Sequence, residues 1–221
     1  MEILKWRKLG GNKDAEPQVK DILTFGTIGT SLDSIGRSPV QAGTSDTFER
    51  SPMDLDFFTN QMTLHAGSIH SLTLGISDEQ ARWKPDPEKW SILEVINHLY
   101  DEEREDFRVR VDYILHHPGA PWPPINPKGW VTERSYNQRD LLQSTEDFLV
   151  ERRKSVAWLK ELANPDWDAF ETVAFGKFSA GDIFAAWMAH DLLHLRQLIE
   201  LHWAYTLHQA EPFQVNYAGE W

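Results

Sequence analysis

The sequence predicts an all-α fold: a four-helix bundle with a long crossover connection, preceded by an irregular N-terminal tail. Three observations carry that prediction. Apolar residues recur at steps of three and four in four separate stretches, serine-headed capping boxes open two of those stretches, and proline-rich breaks lie between them.

Residues 1–52 are rich in Gly, Ser, Thr, Asp and Pro and sustain neither a helical nor a strand period, so they are expected to be a flexible tail or an over-extended start with Met53 as the initiator. The bundle is expected over residues 53–210 and a short C-terminal tail over 211–221. The first helix is marked by Leu55, Phe58, Met62, His65, Ile69 and Leu72. Residues 78–87, with Pro85 and Pro87, interrupt that period. Ser91 and Glu94 then form a capping box, in which the serine oxygen accepts from the backbone at Glu94 while the glutamate reaches back. The second helix carries Ile92, Val95, Leu99, Phe107, Val111 and Ile114 on its stripe and ends near Pro118-Gly119, where the ring forbids continuation.

Five prolines between Pro118 and Lys128 make the next segment a long irregular connection, as a crossover needs. Leu141, Thr145, Phe148, Arg152, Val156 and Leu159 mark a third helix closed by Asn164-Pro165. Phe170 to Phe178 reads as a short extended excursion or hairpin. Ser179 and Asp182 supply another box-like cap to a fourth helix, whose stripe runs Ile183, Trp187, His190, His194, Leu198 and Leu201.

Bulk properties restrict the function. A net charge of -12, from 34 acidic and 22 basic residues, disfavours nucleic acid and anionic lipid as partners. The absence of cysteine removes disulfides, thiolate ligands and cysteine nucleophiles, so any metal must rest on His, Asp or Glu. No apolar run approaches the roughly 20 residues of a spanning helix, and the N-terminus lacks the apolar core of a secretion signal, so a cytoplasmic protein is expected.

His190 and His194 stand four apart on the predicted core face of the last helix, where side chains one turn apart are neighbours at about 5–6 Å between Cβ atoms. His98 lies on the inward side of the second helix. Packing those helices together would bring a third imidazole to the same point, and three neutral imidazoles on a divalent transition ion leave a position open for water or substrate. The competing reading gives each histidine its own hydrogen-bonded partner in the core. His190-Asp191-Leu192-Leu193-His194 lacks the glutamate that serves as base in the zinc-protease helix.

The run Lys89-Trp90-Ser91-Ile92-Leu93-Glu94-Val95-Ile96-Asn97-His98-Leu99, with Ala189-His190-Asp191-Leu192-Leu193-His194-Leu195-Arg196-Gln197-Leu198 about 90 residues later, resembles the DinB/YfiT-like superfamily over about residues 53–205. The resemblance implies a four-helix bundle of unusual crossover order and a divalent metal, zinc or nickel first and iron next, held by three histidines that match His98, His190 and His194. It also implies, loosely, a small-molecule reaction: some relatives transfer or isomerise thiol adducts with a low-molecular-weight thiol such as bacillithiol or mycothiol.

Glu94, Asp101, Glu102 and Glu105 project within about 60° of His98 and are candidates for acid, base or supporting roles. Glu102 is the preferred fourth ligand or proton acceptor. The alternative places all four on the solvated edge of an acidic helix that also carries Arg104 and Arg108. Asp191 is expected on the surface or between helices, Arg196 in a surface pair, His65 as a lining residue, His116 and His117 as helix-end cations, His202 and His208 off the site, and Trp187 at the pocket mouth. The functional expectation is a metal-dependent transferase or hydrolase acting on a small molecule, with a homodimer as the candidate assembly; the alternative is a non-catalytic bundle used for association or sequestration.

Overall fold

The computed structural model describes residues 53–219, all within the compact unit Ser51–Trp221. The expected tail or late start at residues 1–52 lies outside the described residues. Helix α1 (Leu55–Ser71) is capped by Asp54, whose carboxylate accepts from Phe57 N. The segment expected to interrupt the helical pattern instead forms α2 (Asp78–Arg82). Ser77 caps it, and Asp78 and Glu79 suit its N-terminal dipole, but five residues are too few to display a period.

The second long helix opens with the expected Ser91–Glu94 capping box as α3 (Ile92–Glu102), passes through a π turn at Glu103–Phe107 and continues as α4 (Arg108–His116). The connection that follows is irregular to Asn126, then forms α5 (Pro127–Glu133), with proline in the first turn and Asn126 as cap. It is strapped to α3 by Arg134, which donates to Asp101 and Glu105, and by the Tyr136 hydroxyl, which donates to Asp101. Helix α6 spans Leu141–Glu161. The expected hairpin is present as β1 (Phe170–Val173) and β2 (Gly176–Ser179), antiparallel with Phe170 opposite Ser179, and leads through the Ser179–Asp182 capping box into α7 (Ala180–Ala210).

Among the long helices, α1 packs on α6 and α7, and α3 and α4 pack on the same pair. The first and second long helices therefore lie diagonally across the bundle, as do α6 and α7, while the proline-rich connection joins the adjacent pair α3/α4 and α6. No helix among the described residues is long and apolar enough to cross a membrane.

The interior is layered. One apolar layer gathers Ala66, Ile69, Val95, Leu99, Phe148, Leu198 and Leu201, and the other gathers Met62, Phe107, Val111, Leu159, Phe184, Trp187 and Met188. Every long helix passes from one layer to the other through one to three polar residues: His65 on α1, His98 on α3 with Glu103 in the π turn, Arg152 on α6, and His190, Asp191 and His194 on α7. Each fully buried aliphatic or aromatic side chain contributes about 1.5–3 kcal/mol, so the two layers must offset the desolvation of the polar one.

Arg152 braces that polar layer. Its Nε and Nη2 donate to Glu103 at 2.8 Å, while Nη1 and Nη2 donate to Asp191 at 2.6 and 2.8 Å. Nη1 also donates to the Met62 carbonyl of α1, and Trp187 Nε1 donates to Glu103. Replacing Arg152 by Met strands two buried carboxylates and is expected to lower the unfolding free energy by about 3–5 kcal/mol, read from the urea midpoint at unchanged slope. Adding Glu103→Leu and Asp191→Leu is expected to recover most of that loss; a single-variant cost below about 1 kcal/mol would refute the brace.

Candidate metal centre

Periodicity alone puts His190 and His194 on one face of α7, and the phase set by the Ser91 cap turns His98 toward them. In the folded chain the three are 7, 3 and 5% exposed respectively, and each can contribute a ligand atom such that all lie within 4.8 Å of one another. Nε2 of His190 stands 3.0 Å from Nε2 of His194 and 3.3 Å from Nε2 of His98. Ligands about 2.0–2.1 Å from a tetrahedral ion are separated by about 3.3 Å, so these spacings match the edges of such a shell.

The electrostatics agree with the geometry. Burial, and then the neighbouring imidazole of His194, hold His98 well below the usual histidine range. Burial does the same to His190, helped by His194, His98 and Arg152, and lowers His194 to about 4. All three rings are therefore neutral at pH 7, the form in which imidazole offers a lone pair to a metal. Gln197 Oε1 lies 2.8 Å from His194 Nδ1, where it accepts a hydrogen bond from the ring N–H and directs the lone pair of Nε2 toward His190.

Aromatic rings close the site. The Trp90 ring centroid lies 4.8 Å from that of His98 and runs parallel to His194 at 6.4 Å, and Phe107 packs 4.9 Å from His190. The sequence placed Phe107 on the apolar stripe and Trp90 immediately before the Ser91 cap, but assigned neither to the site. Gln197, three residues after His194, was also missed; an acceptor one turn from a candidate ligand is the signal that would have found it.

Of the carboxylates near His98, only Glu102 faces that ring. Its Oε1 is 3.9 Å from His98 Nδ1, which puts it behind the imidazole, away from the converging Nε2 atoms. Burial, and then the Asp106 carboxylate, push the Glu102 carboxyl well above the usual range. Glu94 completes the capping box and pairs with Lys84, Asp101 is held by Arg104, Arg134 and Tyr136, and Glu105 pairs with Arg134. The solvated-edge alternative fails for Glu94, Asp101 and Glu102, which are at most 4% exposed, because the crossover connection and α2 cover that side of α3.

Asp191 took the interhelix place, buried against Arg152. Burial alone would raise its carboxyl, but the Arg152 charge and the hydrogen bonds from Arg152 and His65 hold it below the ordinary range. His65 Nδ1 lies 3.3 Å from Asp191 Oδ2 and does not join the three-histidine cluster. Trp187 does not line a pocket mouth: it is 1% exposed, stacked on Phe107 and bonded to Glu103. Arg196 pairs with Glu200, His116 and His117 with Asp112, and His202 Nε2 reaches the Leu72 carbonyl.

A sequence model of the DinB superfamily matches residues 61–198. Among solved structures the chain superposes on YfiT from Bacillus subtilis with a TM-score of 0.61 at 15% identity, covering 76% of this chain and 93% of that one. That protein is described as a probable metal-dependent hydrolase with an unusual four-helix bundle topology, and the shared fold accounts for the crossover order seen here. No curated protein matches the sequence.

Three buried imidazoles without an ion are a local cost to the fold, since their nitrogens face one another and leave at least one without a proton to share. In the presence of a chelator, His190→Leu is therefore expected to raise stability by about 1 kcal/mol in urea unfolding. A clear loss of stability under those conditions would mean that the histidines hold the core together on their own.

Proposed function

The chain belongs to the DinB superfamily, and on that premise we propose that it is a metal-dependent enzyme in which His98, His190 and His194 bind one divalent transition ion, zinc or nickel, and a water or small thiol attacks a small-molecule substrate. The meeting of three neutral Nε2 atoms at one buried point carries this reading. When bound, an ion with three protein ligands keeps a coordination position open and acidifies the nucleophile placed there. The description of the YfiT structure supports hydrolysis, and the thiol arm comes from the sequence resemblance alone.

The chain's own residues supply orientation and seclusion. Gln197 fixes the tautomer of His194. Glu102 stands where it can accept the Nδ1 proton of His98 in a hydrogen bond, so it acts through that ring as a positioning residue. Trp90 and Phe107 keep bulk water from the rings, which strengthens every electrostatic interaction among them. Arg152 holds Asp191 and Glu103, the residues next to His190 and Glu102, and thereby fixes the rotation of the two ligand-bearing helices.

Protein purified without metal-affinity steps is expected to carry about one divalent ion per chain, and His190→Ala to carry none while keeping its helical circular dichroism. Ion added at about 100 times its Kd is expected to stabilise the native protein by about 2.7 kcal/mol and to leave His190→Ala unmoved. Far less than stoichiometric metal, unrestored by added zinc, nickel or iron, would overturn the metal reading. Full metal with no turnover of ester, amide or thiol-acceptor panels would leave a sequestering bundle in its place.

A further inference from the structure

Among the described residues, four buried side-chain polar atoms have no hydrogen-bond partner: His98 Nδ1, Glu102 Oε1, Arg110 Nη1 and Trp122 Nε1. They fall along one polar strip. His98, Glu102, Asp106 and Arg110 follow one another at steps of four through α3, the π turn and α4, and Trp122 of the proline-rich connection lies against the last of them, with Arg110 Cζ 4.7 Å from its ring centroid. Folded interiors leave few such atoms, and each calls for a partner.

The four sort by chemistry. His98 Nδ1 and Glu102 Oε1 are a donor and an acceptor 3.9 Å apart, so a small rotation satisfies both. Arg110 Nη1 and Trp122 Nε1 are both donors with no accepting capacity. No rotation pairs them with each other, and neither atom meets an acceptor among the described residues.

Their setting selects the acceptor. The Arg110 side chain is 7% exposed, and its Nε donates to Asp106 at 2.8 Å, which fixes the guanidinium. Arg152 shows the saturated arrangement in this same bundle, with two carboxylates on one guanidinium. Arg110 has one. The Arg110 guanidinium lies over the Trp122 ring, so the two unpaired donors belong to one contact, and a carboxylate has two oxygens to offer such a pair. Trp122 meets Phe175 of the hairpin at 6.2 Å, and Phe175 meets Phe178 at 5.7 Å, giving the donors an aromatic wall. Phe175 is 40% exposed, so this aromatic wall reaches the solvent.

We propose that Arg110 and Trp122 form a binding subsite for the carboxylate of a small, flat organic acid packed against Trp122 and Phe175. From position 98 to position 110 the helix advances about 18 Å, so this subsite lies at a distance from the three histidines and shares no side chain with them. Only the further step, that the carboxylate belongs to the substrate of the metal centre, rests on the functional reading above.

The probes are 4-fluorobenzoate and 4-fluorobenzamide, titrated into the full-length protein and followed by fluorine NMR. Saturable binding of the acid is expected, with the amide weaker by about tenfold. Trp122→Phe keeps the ring and removes the N–H, and is expected to weaken the acid about three- to tenfold; Arg110→Gln is expected to weaken it by tenfold or more. His190→Leu is expected to leave the acid's affinity unchanged, so that loss of metal and loss of this subsite are separate results. Equal affinity for acid and amide would overturn the carboxylate assignment. Absence of saturable binding, or binding undiminished in Trp122→Phe, would overturn the subsite.

Discussion

The buried contact of Arg152 with Glu103 and Asp191 is the constraint on which the rest of the bundle depends. Three ions lie at 3% exposure or less, where desolvation costs several kcal/mol each. That cost is met because the guanidinium fork reaches both carboxylates at 2.6–2.8 Å and Trp187 completes Glu103. Such a cluster adds less net stability than apolar packing of the same volume. Its contacts tie α1, α6, α7 and the π turn to one another at this height of the bundle.

Those contacts place the histidines. Asp191 follows His190 and Glu103 follows Glu102, so clamping the two acids turns the preceding residues to a defined angle. The apolar layers on either side then exclude water from the imidazoles and depress their basicity. Packing and chemistry are the same arrangement seen from two sides, since neutral imidazoles arise from the burial that the layers create.

The π turn belongs to this design. Core residues on the second long helix step from Leu99 to Glu103, Phe107 and Val111, always by four. Steps of four drift about 40° each on an ordinary helix of 3.6 residues per turn, and the wider π turn at Glu103–Phe107 absorbs that drift. The same shift keeps Glu102, Asp106 and Arg110 in a row, in which two carboxyl groups and a guanidinium run from behind His98 to the proline-rich connection. The eight-residue gap between Leu99 and Phe107 was visible in the apolar stripe, but its meaning required the helix on the other side.

Local patterns determined much of this protein. Apolar spacing, the Ser91 and Ser179 caps and the prolines near 118 and 165 set the four long helices, the hairpin before α7 and the shared face of His190 and His194, because each is a relation among residues within a few turns. The burial of Glu94 and Asp101, the exclusion of Trp187 from the pocket, the brace at Arg152 and the unpaired donors of Arg110 and Trp122 were decided by tertiary structure. Each depends on the angle and height at which helices distant in sequence meet. Periodicity along one helix carries no information about those quantities, because a stripe records which side faces inward and not which charge lies across from it.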